Sequence, residues 1–202
     1  MVIDMEMPGE REKHAWRTEI IARRRAETPE EHAADTRALV AAAGQLDVGA
    51  WVCAYVPVRG EPGSTELLDA LRTAGARVLV PVTGPPGPLN WAEYTGTDSL
   101  RRARFGLLEP VAEPLPTSAI AMAGLILVPA LAVDRRGVRL GRGAGYYDRT
   151  LSAADPGARL VAVVRDDELV DRLPEEPHDR RMGWALTPRA GLQRLGEDHF
   201  TE

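Results

Sequence analysis

Trp51-Val52-Cys53-Ala54-Tyr55-Val56 opens the stretch that decides the fold, which runs on through Ser64-Thr65 and Ala74-Gly75 to Arg77-Val78-Leu79-Val80-Pro81-Val82. The two hexapeptides are short, nearly continuous apolar runs, as strands buried on both faces should be. Between them Ser64 or Thr65 can cap a helix that Gly75 ends. Strand, helix and strand make a βαβ unit, for which parallel pairing and a right-handed crossover are expected.

Outward from this unit the same pattern recurs. Leu125-Ile126-Leu127-Val128-Pro129 reads as a third buried strand and Leu160-Val161-Ala162-Val163-Val164 as a fourth. Upstream, Glu10 to Ala26 reads as a helix with Trp16, Ile20 and Ile21 near one face. Thr28-Pro29-Glu30-Glu31 is a helix start, and Gly44 ends that second helix after Ala43. Thr83 to Pro88 is a turn-rich loop, and Phe105 to Pro110 has the composition of another. There is no internal repeat. The expected fold is a single α/β domain over residues 1–202, a mostly parallel sheet flanked by helices in three Rossmann-like layers. Residues 1–9 are expected to form a flexible N-terminal tail, and the C-terminal end an irregular one.

Composition narrows the function classes. The chain has 202 residues, 44% hydrophobic and 27% charged, the balance of a water-soluble domain with one core. No apolar run approaches the roughly 20 residues that span a bilayer, and the acidic N-terminus lacks the apolar stretch of a secretory signal. Cytoplasmic location, no membrane partner and a monomer are expected. Cys53 is the single cysteine, which excludes an internal disulfide and reads as a core residue. A net charge of −5 argues against nucleic-acid binding, which needs a basic face. Of 25 basic residues only Lys13 is lysine, so it is either a chance survivor of a drift to arginine or a position that needs a compact ammonium.

The chemistry concentrates in Val128 to Arg149, where a buried strand gives way to a loop with glycines at 137, 141, 143 and 145 and then a short helix. Ligands of open parallel sheets sit at such loops. Closely spaced glycines let backbone N–H groups converge on phosphate, and the following helix start adds its dipole. Arg139 and Arg142 supply charge, and Asp148 is placed to hold Mg²⁺. The glycine spacing is neither of the two common nucleotide-binding fingerprints, and a tight structural turn is the competing reading.

These residues, Val128-Pro129, Asp134, Gly137, Arg139-Leu140-Gly141-Arg142-Gly143 and Gly145-Tyr146-Tyr147-Asp148-Arg149, closely resemble the signature of the 5-formyltetrahydrofolate cyclo-ligase family. Four further elements resemble the family in order: Lys13 with Arg17, Glu61 with Ser64 or Thr65, Phe105-Gly106 with Glu109-Pro110, and Pro177-His178-Asp179 with Thr187-Pro188. Two positions depart from its pattern: Ala144, where Gly or Lys is usual, and Gly183, where an acidic residue is common.

The resemblance implies an ATP- and Mg²⁺-dependent conversion of 5-formyltetrahydrofolate to 5,10-methenyltetrahydrofolate, ADP and phosphate. It implies that Lys13 and Arg17 bind ATP together with the run Arg139, Leu140, Gly141, Arg142, Gly143, Ala144, Gly145, Tyr146 and Tyr147. Lys13 and Arg142 would be catalytic, Asp148 and Asp179 would hold Mg²⁺, and Val56, Glu61 and Tyr146 would bind the folate. His178 reads as a structural neighbour and not as an acid or base. The rival readings are another ATP-dependent enzyme on the same scaffold and a folate- or nucleotide-binding module without turnover.

Overall fold

The computed structural model describes residues 8–58, 60–82, 84–102 and 108–196, with side chains from Glu12 onward in the first helix. Phe105 and Gly106 of the family-like elements, and residues 1–7 of the expected tail, lie outside them. The first helix, α1, spans Pro8–Ala26, two residues earlier than its sequence pattern begins. α2 spans Pro29–Ala43 behind a complete capping box between Thr28 and Glu31, and α3 spans Thr65–Thr73 with Ser64 as its cap.

A seven-stranded sheet forms the centre, in the order β12-β11-β9-β6-β1-β2-β3. Its members are β1 Trp51–Cys53, β2 Arg77–Val82, β3 Asn90–Tyr94, β6 Leu125–Pro129, β9 Arg159–Val163, β11 Trp184–Thr187 and β12 Gly191–Arg194. The pairs β1–β2, β1–β6, β6–β9 and β9–β11 are parallel, and the edge pairs β2–β3 and β11–β12 are antiparallel. The βαβ reading of Trp51 to Val82 is therefore correct: β1 and β2 are parallel neighbours.

The pleat explains the continuous apolar runs. Val52, Val78, Val80, Leu125, Leu127, Val161 and Val163 point to one face, against Leu39 and Ala43 of α2 and Leu67, Leu68 and Leu71 of α3. Cys53, Leu79, Ile126, Val128 and Ala162 point to the other, against Ile120 and Leu151 of two short 3-10 turns. Because both faces are covered, neither register position can be polar. Burial also pushes the Cys53 thiol up to about 12, as expected of a core cysteine.

Two small sheets complete the domain. β7 Ala132–Asp134 and β8 Arg139–Leu140 form an antiparallel hairpin, with β10 Leu169–Val170 parallel to β7. α1 packs on this sheet through Ile20, which meets Leu131, Ala132, Val138 and Leu140, with Trp16 and Ile21 beside it. β4 Leu100–Arg102 pairs with β5 Leu108–Pro110, so the end of the expected loop is a strand.

The irregular C-terminal tail is a correction. Trp184–Thr187 extends the parallel sheet beside β9, and Gly191–Arg194 returns as its antiparallel edge. Both segments are four residues long, too short for a periodicity to register, and the edge strand is only partly buried.

Candidate functional site

Strand order places the site. From β1 the chain goes to β2 on one side and later to β6 on the other, so their carboxyl ends diverge. Such a reversal opens a crevice in a parallel sheet. A cavity of about 420 Å³ lies there. Its walls include every site residue named from the sequence: Lys13, Arg17, Val56, Glu61, Asp148, Asp179 and the whole run from Arg139 to Tyr147. Three segments widely separated in the chain thus converge with the glycine loop.

The glycine loop is shaped by Arg139. This guanidinium, 8% exposed, folds beneath the loop, donating from NH2 to Asp148 Oδ1 at 2.8 Å and from NH1 to the Pro129 carbonyl at 3.3 Å. A Cβ at Gly141 would lie 2.8 Å from Arg139 Nη1, so a larger residue there would make the guanidinium shift. Gly145, at φ +67°, turns the chain into α4, Tyr146–Thr150. Five residues are little more than one turn, so the helix dipole expected at this point is small. Positive charge here comes from side chains.

α1 supplies part of that charge. Residues 13, 17, 20 and 24 share one helical face. Lys13 Nζ lies 2.8 Å from Glu176 Oε2 and 2.9 Å from Asp179 Oδ2. Burial works against its charge, but the hydrogen bonds to both carboxylates outweigh it and raise the pKa; the same bond from Lys13 lowers that of Glu176. Arg17 donates from Nε to the Gly141 carbonyl at 3.1 Å. Arg24, on the cavity floor, pairs with the buried Glu168 at 2.6 and 2.8 Å and donates to the Ala130 carbonyl at 2.7 Å.

Glu61 accepts from the Val58 N–H at 3.0 Å through Oε2 and from Arg142 Nε at 3.2 Å through Oε1. Tyr55 donates to the Pro62 carbonyl at 2.8 Å and fixes the loop that carries Glu61. The Tyr147 hydroxyl is buried and has no hydrogen-bond partner among the described residues, and burial raises its pKa. A buried orphan hydroxyl in a cavity wall is suited to a polar ligand atom.

Carboxylates that suit a hard cation are present. Glu176, His178 and Asp179 each offer a ligand atom within 4.8 Å of the others. Mg²⁺ takes oxygen ligands and rarely imidazole, so the two carboxylates fit it and His178 does not. Asp148 is not part of this cluster; the ion pair with Arg139 uses its Oδ1 and leaves Oδ2 for another contact. Glu176, Arg24 and Tyr55 are site residues that the sequence reading missed. The spacing 13-17-20-24 on one amphipathic helix was the available signal for Arg24.

The sequence matches the model of the 5-formyltetrahydrofolate cyclo-ligase family over residues 9–188. The chain belongs to this family. The 5-formyltetrahydrofolate cyclo-ligase of Mycolicibacterium smegmatis is 49% identical over 191 residues, covering 92% of this chain and 98% of the relative. That of Escherichia coli K12 is 31% identical over 140 residues, covering 68% and 77%. The fold is that of the 5,10-methenyltetrahydrofolate synthetase of Aquifex aeolicus, with a TM-score of 0.75 at 23% identity over 94% of this chain and 99% of that one. As a member of the cyclo-ligase family this chain is an enzyme, and no described helix is long and apolar enough to cross a membrane.

Proposed function

We propose that this cyclo-ligase converts 5-formyltetrahydrofolate and ATP into 5,10-methenyltetrahydrofolate, ADP and phosphate in a reaction that depends on Mg²⁺. The observation that carries the reading is the convergence of Lys13, Arg17, Glu61, Asp179 and the Arg139–Asp148 loop on one cavity at the strand-order reversal. Lys13, Arg17, Arg139 and Arg142 are cations suited to a triphosphate, and Glu61, apolar Val56 and aromatic Tyr146 are suited to a pterin.

The chemistry explains the need for ATP. An N-formyl oxygen is a poor leaving group, so it first attacks the γ-phosphorus and ADP departs. N10 then attacks the resulting iminium carbon and loses its proton, and phosphate leaves with the former formyl oxygen. Such a sequence asks the protein chiefly for alignment and for neutralisation of phosphoryl charge. Lys13, Arg17, Arg139 and Arg142 provide the charge, Lys13 and Arg142 serving the transferring group. Asp148 and Asp179 would hold Mg²⁺, which supplies further neutralisation of the phosphate oxygens. Glu61 orients the pterin edge, with Val56 and Tyr146 on its faces.

The test is a spectroscopic assay for the methenyl product with and without ATP and Mg²⁺. Product that requires both supports the reading. ATP consumption without methenyl product points to a different substrate on the same scaffold, and binding of both ligands without turnover to a binding module.

A further inference from the structure

We propose that Glu176 is a positioning residue that keeps Lys13 in the site and so leaves Asp179 available to the metal. The inference rests on the ATP reading above and adds a residue to it. Lys13 bridges two carboxylates, at 2.8 Å from Glu176 and 2.9 Å from Asp179. The two acids are not equivalent. Asp179 is held rigidly: its Oδ2 accepts the Glu176 backbone N–H at 2.8 Å, and its own N–H donates to the Glu176 carbonyl at 3.0 Å. Its side chain is 9% exposed, against 20% for Glu176. Glu176 touches Lys13 through its side chain and Asp179 through its backbone, and therefore sets the position of both.

A lysine shared by two acids can release one and stay anchored by the other. If Asp179 gives its carboxylate to a cation, Glu176 still holds the ammonium within reach of the phosphates. With glutamine at 176, Asp179 becomes the single anionic partner of Lys13 among the described residues, and a metal must compete with the ammonium for it. The cost therefore falls on metal-dependent nucleotide binding.

The experiment is calorimetric titration of a nonhydrolysable ATP analogue at limiting and at saturating Mg²⁺, for wild type, Glu176→Gln, Lys13→Ala and the double variant. Thermal melts accompany each titration. Glu176→Gln is expected to weaken the analogue about tenfold at limiting Mg²⁺, with most of the loss recovered at saturation. The substitution is expected to have no further effect in the Lys13→Ala background, since the cycle isolates the interaction between the two residues. An equal loss in both backgrounds assigns Glu176 to the metal directly and overturns the positioning role. Equal losses at all Mg²⁺ levels with a lowered melting temperature overturn it in favour of a structural one. A wild-type protein that does not bind the analogue removes the ATP reading, and this inference with it. Wild-type binding with an unaffected Glu176→Gln variant sinks the inference alone.

Discussion

Arg142 Nε lies 3.2 Å from Glu61 Oε1, so the arginine assigned to the triphosphate and the glutamate assigned to the pterin are each other's counter-ions. The pair links the glycine loop to the loop after β1. On the proposed assignment each substrate displaces one member of the pair and in doing so frees the other for the second substrate. Binding energies linked in this way are reciprocal.

Arg142→Ala is therefore expected to bind 5-formyltetrahydrofolate without nucleotide at least as tightly as wild type, while an ATP analogue binds about tenfold more weakly. Glu61→Gln is expected to do the opposite and to harm folate binding far more than nucleotide binding. Calorimetry with each ligand alone checks both variants. A loss of folate affinity in Arg142→Ala as large as its loss of nucleotide affinity rules out the handover.

Asp148 pairs with Arg139 at 2.8 Å, and a carboxylate beside a triphosphate also calls for a cation between them. Asp148→Asn is expected to stay folded, to lose activity and to need more Mg²⁺. A lower melting temperature with an unchanged Mg²⁺ titration would assign the residue to Arg139 alone.

The docking of α1 should depend on pH at both ends. The Lys13 hydrogen bond lowers the Glu176 pKa below its ordinary 4.5, and the Arg181 hydrogen bond does the same for Glu175. A lowered carboxyl contributes stability that is present above 4.5 and lost as pH falls through the folded value. Lys13, buried but bonded to two carboxylates, is raised above 10.5, so its contribution is present below 10.5 and lost as pH climbs past the folded value. Amide exchange in α1 should accelerate in acid before that of β1 and β6. Glu176→Gln should remove part of that acid response; α1 amides that keep the same acid sensitivity in the variant refute the assignment.

Gly137 sits at φ +91° where an added Cβ would lie 2.1 Å from the Met182 carbonyl oxygen. Backbone cannot move aside cheaply, and the Met182 N–H also donates to the Gly137 carbonyl at 2.7 Å. Gly137→Ala is expected to cost about 2 kcal/mol or more, from strain and from the lost close approach. Chemical denaturation measures it, and a variant as stable as wild type contradicts the geometry.

The fold was legible where burial is two-sided. β1, β2, β6 and β9 announce themselves because the central residues of those runs meet a covered face on either side, and Thr28, Ser64 and Gly44 mark helix ends by local chemistry. β3 and β12 were not assigned because short edge strands mix polar and apolar residues, and β11, internal to the sheet, because four residues are too few to show a pattern. In the site, the glycine loop was visible through its unusual density of glycine beside arginine. Its partners were not visible from residue type. Glu176 and Arg24 look like ordinary surface charges, and only the fold brings the first to Lys13 and the second beneath Ala130. The expected helix dipole failed for a simpler reason: α4 stops after Thr150, whose hydroxyl bonds back to the Tyr146 carbonyl at 2.6 Å and receives the Leu89 N–H at 2.8 Å.

The contacts of α1 have a consequence for how the chain is made. Lys13 and Glu176 are 163 residues apart, Arg17 and Gly141 124, and Arg24 and Glu168 144. α1 is thus synthesised well before the residues that hold it in place. At ~5–20 residues per second, roughly 8 to 33 s pass between synthesis of Lys13 and of Glu176. Until Leu131 to Leu140 have been made, the surface that covers Trp16, Ile20 and Ile21 does not exist, and the apolar side of the helix is open to chaperones and to other nascent chains. The cavity cannot take its final form until Glu176 and Asp179 have been made.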